Sequence, residues 1–101
     1  MSGRSMADAG PALIRALRAR APELDIEGST STGWASMTFT GARHSIRCLI
    51  PIAAYEAFSE GLGVVEFSLP GHVVADIAIE SAEHTGDAMR LEIGILTVED
   101  C

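Results

Sequence analysis

Apolar and polar positions alternate along most of this chain, with two interruptions at helical spacing. From Pro11 to about Arg20, Leu13, Ile14 and Leu17 form one apolar stripe while Arg15 and Arg18 face away. Pro11 suits a first helical turn, where its missing N–H costs nothing, and Pro22 stops the helix. Leu24 to Glu27 alternates apolar and acidic residues and predicts a short strand, and Gly28 to Gly33 predicts a loop. Trp34–Thr40 and Arg43–Ile50 flank Gly41-Ala42, which predicts a hairpin with a two-residue turn. In that register Phe39, Met37 and Ala35 oppose His44, Ile46 and Cys48 on the core face. Trp34 then lies on the other face beside Arg47 and Leu49.

Pro51 opens a second helical segment to about Glu60, with Ile52, Tyr55 and Phe58 on its apolar side and Gly61 and Gly63 beyond its end. Val64–Leu69, Val73–Ile79 and Ala88–Val98 predict three further strands. Val65, Phe67 and Leu69 face inward on the first, then Val73, Ala75, Ile77 and Ile79, then Met89, Leu91, Ile93 and Ile95. Pro70-Gly71 marks a turn, followed by a three-residue loop including His72 or a bulge, and Ser81–Asp87 reads as a polar connection. The expected order is α-β-β-β-α-β-β-β. The expected fold is α+β: an antiparallel sheet of about five to six strands with both helices on one face. Residues 1–10 read as a flexible leader and 11–101 as a single domain. Pro11 and Pro51 each open a helix followed by three strands, which hints at a repeat near 40 residues.

Composition supports one globular domain: 101 residues, 48% apolar and 21% charged. The net charge of −7 is divided unevenly. Residues 1–50 hold six Arg and four acids, and residues 51–101 hold one Arg and ten acids. The acidic half argues against nucleic acid as a partner, since phosphates need a basic face. No apolar run reaches the ~18 residues of a membrane span. The chain has no Lys, Asn or Gln, a bias that suggests a GC-rich bacterial genome. Cys48 and Cys101 form no disulfide framework, which points to a reducing cytoplasm.

Catalytic and metal patterns are weak. His44 and Cys48, four residues apart on one strand, stand ~13 Å apart, too far to share a metal or a proton; they read as a semi-buried edge histidine and a core cysteine. The same distance separates His72 from Asp76, and Asp76 from Glu80. Glu80, Glu83, His84 and Asp87 share a segment read as a loop but lack any cation-loop spacing. Gly28–Gly33 lacks the Lys of a phosphate loop and follows three acids. No cofactor, metal or catalytic residue is therefore assigned, and the reading leans away from an enzyme.

Trp34 is the residue that stands out, because an aromatic beside Arg on a water-facing sheet is a common interface combination. The expectation is a non-enzymatic interaction or homo-oligomerisation module using an exposed sheet face, with Trp34, Arg47 and Leu49 on it. The alternative is a small-molecule pocket between sheet and helix near Trp34, Tyr55 and His44.

Overall fold

The computed structural model describes residues 9–62, 69 and 71–99. Over them the chain is α+β, with order α-β-β-α-β-β: α1 (Gly10–Arg20), β1 (Asp25–Ala35), β2 (Thr40–Pro51), α2 (Ile52–Leu62), β3 (His72–Thr85) and β4 (Ala88–Glu99). The strands form one antiparallel four-stranded sheet, fewer than the five to six expected, in the order β1-β2-β4-β3. The strand predicted over 64–69 lies outside the described residues except for Leu69. That residue is buried and accepts a hydrogen bond from the His72 N–H at 3.1 Å, with Gly71 between them at φ 77°.

Alternation in β2 and β4 builds the core. Ile46, Cys48 and Ile50 of β2 and Leu91, Ile93 and Ile95 of β4 lie on one face, and Leu13 and Leu17 of α1 and Phe58 and Leu62 of α2 join the same cluster. Both helices therefore cover a single face, as their apolar stripes require. The Ile52 N–H donates to the Asp87 carbonyl at 3.0 Å, tying the start of α2 to the β3–β4 turn. Ile52 itself is exposed rather than on the buried side of α2, where Phe58 and Leu62 lie.

The first hairpin differs from expectation. Its turn is Ser36–Phe39, not Gly41-Ala42, and Ala35 pairs with Thr40. Ser36 closes it: its N–H reaches the Phe39 carbonyl at 2.7 Å, and its hydroxyl accepts from the Phe39 N–H at 3.1 Å. Gly41 sits inside β2 because the strands approach closely there. A methyl group at that position would strike the Thr97 carbonyl oxygen and stand 2.9 Å from Cζ2 of Trp34. The segment Gly28–Gly33, expected to be a loop, continues β1, so Ser31 opposes His44, Ser29 opposes Ile46 and Ile26 opposes Cys48. Met37 and Phe39, expected in the core, project from the turn and are exposed.

The second hairpin is longer than expected. β3 continues through Thr85, so the polar connection shrinks to Gly86-Asp87, with Gly86 at φ 61° as a two-residue turn demands. Bulges between Val74 and Asp76 and between Ile79 and Ser81 shift the alternation of β3. Val74, Ile77 and Ile79 pack against the core, whereas Val73, expected inward, is exposed.

Candidate interaction surface

The sheet face opposite the helices is built row by row from strand pairing. The row nearest the β1–β2 turn holds Trp34, Gly41, Val98 and Val73. Next come Thr32, Arg43, Leu96 and Asp76, then Thr30, Ser45, Gly94 and Ala78, then Gly28, Arg47, Glu92 and Ser81. Bulges give β3 extra residues, and Glu80 lays its carboxylate over Gly94. Arg47 likewise lays its guanidinium over Gly28. In both places a missing side chain makes room for a charged neighbour.

This face has an apolar end and a charged middle. At the apolar end the Trp34 ring covers Gly41, Val73 is 52% exposed, and the adjoining turn carries Met37 at 101% and Phe39 at 58%. The indole Nε1 of Trp34 is buried and has no acceptor among the described residues. In the middle, a shallow groove of about 220 Å³ is lined by Thr30, Thr32, Arg43, Ser45, Asp76 and Glu80, with Gly94 along it. Arg43 and Arg47 stand on β2, Asp76 and Glu80 on β3, with β4 between them. No ion pair joins these four. The Ser45 hydroxyl donates to Glu92 at 2.7 Å, and Arg90 pairs with Glu27 at 3.2 Å, a contact that raises the pKa of Arg90 above its ordinary value.

Sequence-predicted site residues divide between the two faces. Trp34, Arg47 and Leu49 lie on the open face, but Trp34 opposes Gly41 and stands six residues along the ladder from Arg47, roughly 20 Å away. Leu49 opposes Asp25 and Arg90. Tyr55 and His44 belong to the helix-covered side: Tyr55 packs half-buried against the core, and His44 is buried. The pocket envisaged from Trp34, Tyr55 and His44 together is therefore not assembled. A cleft of about 540 Å³ between the end of α1 and α2 is lined by Ala21, Pro51, Ala54, Ala57, Phe58 and Arg20, among others, and includes none of the three.

His44 is not the semi-buried edge residue expected. It stands on an interior strand, where it makes a hydroxyl–imidazole chain that sequence reading missed. Ser31 Oγ lies 2.7 Å from Nδ1, Nε2 lies 3.0 Å from Thr97 Oγ1, and Thr97 Oγ1 donates to the Ala42 carbonyl at 3.3 Å. Thr97 gives its one proton to Ala42, so Nε2 of the imidazole is the donor to Thr97, and Ser31 holds the ring at Nδ1. The chain provides partners for a buried polar ring, which is otherwise costly. The parity of β4 carried a signal for Thr97; Ser31 had none, since its segment read as a loop.

Cys48 is buried on the same face. Burial first, and the nearby Glu27 second, push its thiol from 9.0 up to about 11, so it stays protonated and unreactive at neutral pH. Glu80, Glu83, His84 and Asp87 are spread along β3 and its turn rather than folded into one loop. Among the described residues, no group of three or more His, Cys, Asp or Glu side chains is placed to hold a metal ion, and no helix is long and apolar enough to cross a membrane. No family model, curated protein or solved structure matches the chain.

Proposed function

We propose that this protein is a homotypic interaction module, a small domain that self-associates through the open face of its sheet. The observation that carries the reading is the apolar end of that face. Trp34, Val98 and Val73 run across it in one row, and Met37 and Phe39 stand beside it on the turn. Exposed apolar residues scattered singly are ordinary, but a contiguous group joined to a sheet face that no described helix covers marks a contact site. The orphan indole N–H of Trp34 adds to this, because a buried donor without an acceptor costs ~1–3 kcal/mol in the isolated chain.

The occupant is a second copy. The face is about four strands wide and eleven paired rows long. At ~4.8 Å per strand and ~3.3 Å per residue, that is roughly 700 Å², close to the ~800 Å² per partner of a standard interface. Much of it is polar, so the dimer is expected to be exchangeable, with a dissociation constant on the order of micromolar. Sedimentation equilibrium tests this directly. The wild type is expected to show a monomer–dimer equilibrium, and Trp34→Ala or the pair Met37→Ser with Phe39→Ser is expected to shift it to folded monomer. A wild type that stays monomeric, or a dimer indifferent to these changes, refutes the reading.

A further inference from the structure

The charged middle of the open face carries an inference that rests on the homotypic reading and specifies its geometry. We infer that two copies stack face to face about a two-fold axis that runs parallel to the strands between β2 and β4, so that Arg43 of each copy pairs with Asp76 of the other.

Two geometric facts lead here. First, Arg43 and Arg47 lie on β2 while Asp76 and Glu80 lie on β3, with β4 separating them, and none of the four has an ion-pair partner among the described residues. In these middle rows the bases lie to one side and the acids to the other, which makes that part of the face complementary to itself. Secondly, the rows select the axis. An axis parallel to the strands keeps each row at its own level and exchanges left for right, so β1 and β2 of one copy meet β3 and β4 of the other. Each row then meets itself reversed. Trp34 covers Val73 of the second copy, and Gly41 leaves space for Val98. Arg43 crosses Leu96 to reach Asp76. Ser45 meets Gly94, bringing Glu80 between Arg43 and Arg47 of the second copy.

An axis perpendicular to the strands does none of this. It places β1 on β1 and β3 on β3, which sets acids against acids. Stacked sheets cross at about 30° rather than in strict alignment, and the length of the arginine side chain absorbs that skew. The interface is isologous and closes on itself as a dimer, with no free copy of the face left to propagate a fibre.

A charge exchange tests the arrangement. Arg43 and Asp76 are both exposed, so the substitutions leave the core untouched. Arg43→Glu alone places acid on acid at two equivalent contacts, and Asp76→Arg alone places base on base. Each single variant is expected to weaken self-association by about tenfold or more. An equal mixture of the two variants restores opposite charges at both contacts, and is expected to form a heterodimer with affinity near that of the wild type, seen as a mixed-mass species by native mass spectrometry. Circular dichroism melts confirm that each variant folds. If the single variants dimerise as tightly as the wild type, or the mixture does not recover, this axis is wrong. In that case sensitivity to Trp34→Ala would still support the open face as the contact surface. A wild-type protein that is monomeric throughout overturns both.

Discussion

Replacing Gly41 by alanine tests the central packing of this fold, because the first hairpin depends on a close approach at that residue. An added methyl group meets the Thr97 carbonyl oxygen of the neighbouring strand, stands 3.0 Å from the carbonyl carbon and 2.9 Å from Trp34 Cζ2. Two of these obstacles are backbone, and the third is a ring with little freedom. Relief requires β2 and β4 to separate and the indole to lift. Overpacking of this kind costs ~1–3 kcal/mol, offset by only ~0.4–1 kcal/mol from the stiffer unfolded chain. Since ~1 kcal/mol shifts Tm by ~4–8 °C in a domain this size, Gly41→Ala should melt several degrees lower. The control is Gly94→Ala on the same face. There the methyl group meets only the carboxylate of Glu80, the free end of a flexible side chain, which can swing aside. That change is expected to alter stability by less than ~0.5 kcal/mol. Urea titration with Trp34 fluorescence reports both, since Trp34 is the sole tryptophan. If Gly41→Ala is as stable as the wild type, or costs no more than Gly94→Ala, the close approach of β2 to β4 is not as described.

Two further outcomes follow from the helix-covered face. Thr97→Val keeps the shape of the side chain but removes the hydroxyl that joins Nε2 of His44 to the Ala42 carbonyl; it should cost ~1–3 kcal/mol, and more than Ser31→Ala at the exposed end of the chain, when both are measured by urea unfolding. Cys48 gives a pH dependence: the folded protein keeps the thiol proton up to about pH 11, while the unfolded chain loses it near 9.0. The unfolded state therefore binds fewer protons in that window, so stability should fall as pH rises from about 9 to about 11, and Cys48→Ala should remove that part of the fall; an unchanged slope in the variant would show that Cys48 is not its source.

The elements that sequence alone discloses are those with one buried and one exposed side. Both helices and the strands β2 and β4 meet that condition, and the run Ala42, His44, Ile46, Cys48, Ile50 is legible as a core face. β1 is an edge strand whose residues 29–33 are exposed on both faces, so Ser29 to Gly33 carries no alternation and reads as a loop. The tail of β3 is hidden for the same reason. Gly41 misleads because two different needs, a turn and a close strand approach, call for the same residue. The true pairing is displaced from the expected one by an even number of residues, so Trp34 keeps its face. Met37 and Phe39 instead leave the sheet altogether. Bulges in β3 exchange the roles of Val73 and Val74. The charge halves of the open face were present in composition, but only the strand order reveals where they fall.

That strand order explains why the face is divided. The chain is an αββ unit followed by a second αββ unit, and each contributes one hairpin. Had the strands lain in sequence order, β3 would sit beside β2, with Asp76 and Glu80 one strand, or ~4.8 Å, from Arg43 and Arg47. At that spacing opposite charges are cross-strand neighbours within one chain. Instead the last strands of the two units, β2 and β4, meet in the middle and carry the first strands to opposite edges. The backbones of β2 and β3 then lie ~9.6 Å apart, two strand spacings, and no ion pair joins Arg43 or Arg47 to Asp76 or Glu80. A face of this kind repels a copy of itself laid strand on like strand and attracts one laid in reverse. In the proposed stacking, salt should weaken self-association by screening those contacts, with the proposed contact of Trp34 on Val73 less affected. The order of four strands thus separates the charges, and the proposed orientation of a second copy rests on that separation.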